Sequence, residues 1–241
     1  MEQAISVAIA PIRREPSDRS EMVSQGLFGE TLEILEQQEK WAMIRMAADG
    51  YEGWMDCKQF GPANSSQDCL QLTIPLSHCI LPDQSGLWLS AGSILSRNIA
   101  ITTEQPIWNG NEASIHNCSL QFLNAPYLWG GRTVMGIDCS GFTQLVMRLN
   151  GIAIPRDAYQ QAELGSEVSF VEESQIGDLA FFDNYEGRII HVGIVLRSSS
   201  EQVEIIHASG KVRIDALDHQ GIFNREQSAY SHKLRIIKRV I

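Results

Sequence analysis

The sequence predicts an α+β domain built around a cysteine-bearing helix and preceded by a small all-β region. Three observations carry that reading. Phe142, Leu145, Val146 and Leu149 recur at i, i+3, i+4 and i+7 directly after Cys139, the apolar stripe of a 3.6-residue period. From Leu179 onward, short apolar runs follow one another as strands do, at Leu179–Asp183, 188–196, 203–208 and 234–240. A helical segment followed by such a run is the pattern of an α+β domain with an antiparallel sheet. The first sixty residues show only short β-rich runs separated by polar turns, which points to a small barrel.

In chain order, Ile5, Val7 and Ile9 alternate, residues 31–36 are β-rich, and Trp41–Met46 is a further strand. Asp49-Gly50 marks a tight turn before Tyr51-Glu-Gly-Trp-Met55. Residues 61–68, Gly-Pro-Ala-Asn-Ser-Ser-Gln-Asp, read as a polar linker. Between Cys69 and Trp108, apolar pieces such as Leu87-Trp88-Leu89 alternate with turns, and form either a second unit of the same kind or an elaboration joining the domains. The expected division is therefore 1–60, 61–110 and 111–241. Residues 111–123 read as a helix, the Cys139 helix stops at Asn150-Gly151, and a short helix follows over 157–164.

A formal charge of −10 argues against a nucleic-acid or anionic-membrane partner. No apolar run approaches the length of a membrane span. The opening Met-Glu-Gln-Ala-Ile-Ser lacks the basic and apolar parts of a signal peptide. Five cysteines with no CxxC pair suit free thiols in a reducing compartment, so a cytoplasmic location is expected. No cofactor and no particular oligomeric state are implied.

Cys139 stands at the first turn of its helix, where unpaired N–H groups and the macrodipole favour an anion. That setting is expected to lower the thiol pKa and make a thiolate nucleophile, although a free cysteine is more often a small buried hydrophobe. Period-2 alternation puts Ile189, His191, Gly193 and Val195 on one face of a strand, and Val203, Ile205 and His207 on one face of the next. A hairpin centred on Ser199 would set His191 directly opposite His207, with Cβ atoms roughly 4.5–5.5 Å apart. Two facing histidines suit a base and the group that orients it. A zinc site with Cys139 is conceivable by residue type, but the spacing fits no common zinc motif, so no metal is expected. His78, His116, His219 and His232 are read as surface or structural residues.

Pro126-Tyr-Leu-Trp-Gly-Gly131, Asp138-Cys-Ser-Gly141, Pro155-Arg-Asp157, Gly177-Asp-Leu179, His191-Val-Gly193 and Ile206-His-Ala208 occur in one order over residues 111–241. Together they resemble the NlpC/p60 family of papain-like cysteine peptidases. Ahead of them, Leu27-Phe-Gly-Glu30, Lys40-Trp41 and Asp49-Gly-Tyr-Glu-Gly-Trp54 resemble a bacterial SH3-like domain. The resemblance implies Cys139 as nucleophile, His191 as general base and His207 as the orienting third member. Tyr127 matches the family tyrosine near the oxyanion site, where it would act with the Cys139 N–H.

Family enzymes with an N-terminal SH3-like domain tend to be γ-D-glutamyl-L-diamino acid endopeptidases that need a free L-Ala amine on a small murein peptide. The resemblance assigns Asp138 to that ammonium, with Ser140, Arg156 and Asp157 lining the same end. A carboxylate placed there would be left unpaired by a blocked N-terminus. Glu21 and Tyr51 are the expected contributions of the SH3-like domain to substrate binding. The leading expectation is a peptidase that releases L-Ala-γ-D-Glu in cell-wall peptide recycling. The alternatives are an exported hydrolase acting on intact peptidoglycan stem peptides, and a non-catalytic wall-peptide binding module.

Overall fold

The computed structural model describes residues 2–63, 68–81, 83–97, 99–197 and 202–241. The turn expected around Ser199 and the centre of the expected linker lie outside the described residues. The chain forms two compact units, residues 1–107 with 129–134, and residues 108–128 with 135–241. The second unit thus begins three residues before the expected boundary, and the chain returns to the first unit for the six residues after Leu128.

In the first unit, strands β1 (Gln3–Ile5), β2 (Ile9–Arg13), β3 (Met22–Leu27), β4 (Thr31–Gln37), β5 (Trp41–Met46), β6 (Glu52–Asp56) and β7 (Phe60–Pro62) form one curled sheet. Their order is β3-β2-β6-β5-β4-β1-β7. The alternation at residues 5–9 is split between β1 and β2, and Gly61 and Pro62, expected in a linker, pair with β1 in β7. The Asp49-Gly50 turn is present, with Gly50 at φ 71 and the Asp49 carboxylate accepting from Tyr51 N at 3.0 Å. Ile5, Ile12, Leu32, Ile44 and Met55 are buried together as the core of this sheet. Residues 69–101 add β8 (Cys69–Gln71), β9 (Leu76–Ile80), β10 (Gly86–Ser90), β11 (Ile94–Ser96) and β12 (Ala100–Ile101). They pair as β10-β9-β12 and β11-β8, over a small core of Leu72, Cys79, Leu89 and Leu95 against which Ala8 and Phe28 pack. This segment elaborates the first unit and shares its apolar surface.

The returning segment, Trp129–Val134, which contains β13 (Arg132–Thr133), is anchored by a buried ion pair. Arg132 donates to both oxygens of Glu30 at 3.0 Å, and its own N–H donates to Gln25 Oε1 at 2.8 Å. Gly130 has φ 75, and a Cβ there would stand 2.5 Å from the Met22 carbonyl oxygen, so the close backbone approach requires glycine.

The second unit holds α1 (Glu112–Leu120), β14 (Gly136–Ile137), α2 (Cys139–Leu149), α3 (Ala158–Gln161) and the strands β15 (Ser166–Val168), β16 (Leu179–Asp183), β17 (Ile189–Arg197), β18 (Val203–Ser209), β19 (Lys211–Asp218), β20 (Gly221–Asn224) and β21 (Ala229–Arg239). Their order is β15-β21-β16-β17-β18-β19-β20, and β20 also pairs with β21, so the sheet closes on itself. β19 and β20 are absent from the sequence-based reading. α2 packs on β17 and β18 and is buried along nearly its whole length, Arg148 excepted. It is therefore a core helix rather than the one-sided helix that the stripe suggested. Among the described residues no helix is long and apolar enough to cross a membrane.

Candidate active site

The site begins at the start of α2. Asp138 is the N-cap, with Oδ1 accepting from Gly141 N at 2.7 Å, so the cap and the cysteine are fixed by one local motif. Arg156, itself buried, donates Nη1 to Asp138 Oδ1 at 3.0 Å and Nη2 to Oδ2 at 2.6 Å, a bidentate pair. Its Nη1 also reaches Ser140 Oγ at 2.8 Å. On α3, Gln161 donates to the carbonyls of Ser140 (3.1 Å) and Pro155 (2.8 Å) and accepts from Thr143 Oγ1 (2.8 Å). The Pro155-Arg156-Asp157 stretch and α3 thus clamp the first turn of α2. Asp157 caps α3 without a side-chain capping bond and is half-buried.

Cys139 is buried, and its thiol stands against the backbone N–H groups of Val192 and Ser140. Burial pushes the thiol up to about 12, and Asp138 adds to that rise. The Val192 and Ser140 N–H groups and Arg156 pull the other way and are outweighed. The expected lowering by the helix start is therefore overturned in the free protein: desolvation of a thiolate exceeds what the helix end supplies. Tyr127 sits close enough to Cys139 and Asp138 to be raised by both, after burial, to about 12. Its hydroxyl therefore keeps its proton at neutral pH and can serve as a hydrogen-bond donor.

On the sheet, Gly193 rather than His191 lies opposite His207, so the register is displaced by two residues from the expected one. A two-residue shift preserves the face, and the histidines still meet diagonally, with His191 Nε2 2.8 Å from His207 Nδ1. Gly193 makes the room, since a Cβ there would stand 2.7 Å from Ile205 Cδ1 and 2.9 Å from His207 Cβ. Burial, then the neighbouring His207 and His232, hold His191 well below the usual imidazole range. Burial also lowers His207, against the opposing pull of Asp215.

Three site neighbours escaped the sequence reading. Asp215 on β19, almost wholly buried, takes His207 Nε2 at 3.1 Å. Arg213 donates to the same carboxylate through Nε (2.7 Å) and Nη2 (3.0 Å). Although burial raises Asp215, these bonds prevail and hold it down at about 2. The one available signal was the alternation of Arg213 and Asp215 within Lys211-Val-Arg-Ile-Asp-Ala-Leu-Asp218, which puts both on one strand face. The third is His232, read as a surface or structural residue: its ring stacks on His191 with centroids 4.1 Å apart and planes 20° from parallel. Burial first, then His207, lowers His232 to about 4.

The structure therefore brings Cys139, Tyr127, Asp138, Ser140 and Arg156 together at the start of α2, and His191 with His207 on the adjoining strands. Glu21 and Tyr51 belong to the first unit. There Glu21 accepts from Trp129 Nε1 at 2.7 Å and pairs with Arg14 at 2.9 Å, and Tyr51 packs against the core of the curled sheet. Among the described residues no group of three or more His, Cys, Asp or Glu side chains is placed to hold a metal ion.

Chemically, a buried thiol at a helix start beside a strand carrying a neutral imidazole pair is an arrangement for nucleophilic attack with general-base assistance. Comparison with known proteins agrees. The NlpC/P60 family profile matches residues 124–230, and that of the bacterial dipeptidyl-peptidase SH3 domain matches residues 12–60. A γ-D-glutamyl-L-lysine dipeptidyl-peptidase of Bacillus subtilis is 31% identical over 202 residues, 71% of this chain and 68% of its own. Dipeptidyl-peptidase 6 of Lysinibacillus sphaericus is 25% identical, across 95% of this chain and 96% of its own. The crystal structure of an NlpC/P60 family protein from Bacillus cereus covers 100% of this chain and 99% of its own with a TM-score of 0.81 at 20% identity, a likeness of fold. The chain belongs to the NlpC/P60 family of cysteine peptidases, with an SH3-like domain ahead of the papain-like one.

Proposed function

We propose that this chain is a peptidoglycan-peptide hydrolase that cleaves the bond between γ-D-Glu and a diamino acid, meso-diaminopimelate or lysine, in murein peptides with a free N-terminal L-Ala. It would release L-Ala-γ-D-Glu, as suits cell-wall peptide recycling. The observation that carries the reading is the buried Cys139 at the start of α2 beside β17, whose His191 is bonded to His207 at 2.8 Å. The name of the Bacillus subtilis relative supports the substrate class, and that of the Lysinibacillus relative supports release of a dipeptide.

In the proposed cycle, His191 takes the thiol proton as Sγ attacks the γ-carbonyl carbon of D-Glu. The oxyanion is received by the Tyr127 hydroxyl and the Cys139 N–H. His191 then gives its proton to the leaving amine of the diamino acid, and water hydrolyses the thioester. With the thiol raised and His191 lowered by burial, the free enzyme rests with both groups neutral, and proton transfer accompanies attack. At the other end of the site, Asp138 and Asp157 are the carboxylates proposed to receive the L-Ala ammonium.

The test is incubation with L-Ala-γ-D-Glu-meso-diaminopimelate and its lysine counterpart, read by mass spectrometry for L-Ala-γ-D-Glu. Release that ceases in Cys139→Ala, with the circular dichroism spectrum unchanged, is the expected result. No release from either peptide with the thiol reduced overturns the reading. Equal rates on the N-acetylated peptide remove the ammonium role, and faster release from intact peptidoglycan favours a wall hydrolase.

A further inference from the structure

We propose that Asp215, paired with Arg213, sets the tautomers of both site histidines, so that the Nδ1 lone pair of His191 is the one left for the Cys139 proton. The proposal rests on the reading of His191 as the base. It follows from donor and acceptor counting along one unbroken chain of bonds: Arg213 to Asp215, Asp215 to His207 Nε2 (3.1 Å), and His207 Nδ1 to His191 Nε2 (2.8 Å).

An ionised carboxylate only accepts, so the proton between Asp215 and His207 belongs to His207 Nε2. A neutral imidazole has a single N–H, which makes His207 Nδ1 an acceptor. The proton between the two rings is then on His191 Nε2, and His191 Nδ1 is bare. A group that reversed the first bond would reverse every later one and leave His191 with an N–H where it needs a lone pair. Asp215 acts at two removes from the thiol and is a positioning residue.

Arg213 has a separate part. A lone buried carboxylate beside His207 would draw a second proton onto that ring, and a doubly protonated His207 would donate from Nδ1 and force the wrong tautomer on His191. The guanidinium neutralises Asp215 and lowers His207, while Glu226 and Asn224 hold Arg213 at 3.0 Å each. The titratable and charged groups around His207 are Asp215 and Arg213 on β19, His191 on β17 and His232 on β21. α2, packed on the same strand, carries Cys139 with Asp138 as its cap.

Long-range ¹H–¹⁵N correlation spectra of the full chain read the tautomers without substrate. Both rings are expected as Nε2–H with a bare Nδ1, and the opposite tautomer on either overturns the proposal. In Asp215→Ala the donor-only guanidinium or water faces His207, and kcat is expected to fall on the order of 10³-fold with KM unchanged. Unchanged kcat in a folded Asp215→Ala protein overturns it. In Arg213→Met the acid limb of the Cys139 alkylation rate by iodoacetamide should move up by roughly one pH unit, a shift that a merely structural ion pair would not produce. An unmoved limb removes the part given to Arg213. Expected tautomers with no dipeptide release would sink the proposed function and leave this inference standing.

Discussion

Replacing Arg156 with methionine tests the strongest electrostatic contact at the start of α2. The guanidinium is 2% exposed and the Asp138 side chain 7%, so both charges have left water, and each depends on the other. Methionine fills much of the same space but leaves the Asp138 carboxylate buried without its bidentate partner. Breaking a buried pair from one side costs about 3–5 kcal/mol. Asp138 keeps the Gly141 N–H and a longer 3.4 Å contact from Ser140 Oγ, which places the loss near the lower end, about 3 kcal/mol. For a unit of about 130 residues that is a fall in Tm of roughly 11 °C for its transition. Asp138→Asn retains an N-cap acceptor but strands the guanidinium, and should cost a similar amount. The double variant removes both charges and should cost about 3–4 kcal/mol rather than the additive 6 or so, a coupling of about 2–3 kcal/mol in a urea-denaturation cycle. Additive losses, or an Arg156→Met protein within about 1 kcal/mol of wild type, would refute the account of this pair as two mutually dependent buried charges.

Acid should loosen the second unit before most carboxylates titrate. His191, His207 and His232 are all held in the fold below their unfolded pKa of about 6.5, so their contribution is complete above that pH and declines as pH falls beneath it. While each ring stays neutral, the loss is about 1.4 kcal/mol per pH unit per histidine. Unfolding free energies from urea denaturation at pH 7 and 5.5 should therefore differ by roughly 2–4 kcal/mol, and a flat profile would contradict the burial argument. Gly193→Ala should crowd His207 and Ile205, costing about 1–3 kcal/mol of stability and on the order of 10²-fold in kcat through a displaced imidazole. A fully active Gly193→Ala peptidase would show that the diagonal His191–His207 contact tolerates the extra methyl.

The parts of the site legible in the sequence were those with local signatures. Asp138 as a cap, Cys139 at the helix start and the Asn150-Gly151 stop arise from contacts within a few residues, and Gly151 has the positive φ, 80, that the stop signal implies. The histidine faces followed from period-2 alternation alone. Their register did not, because a hairpin turn of unspecified length allows shifts of two residues that leave every side chain on its original face. His232 was missed for a related reason: it approaches His191 only because β21 returns along β16 and β20 as the sheet closes.

The sequence by itself determined the class of the domain and singled out Cys139, His191 and His207 as the residues to examine, since each depends on short-range periodicity or on an ordered set of motifs. The tertiary structure alone decided the direction in which the pKa of each of these groups is shifted. Desolvation depends on what covers a side chain, and at Cys139 it outweighs the helix start that dominates any local reading. It also decided the partners of charge. Arg156 reaches Asp138 across eighteen residues and Asp215 reaches His207 across eight. Neither ion pair follows from local periodicity, because both are made by elements that fold against one another.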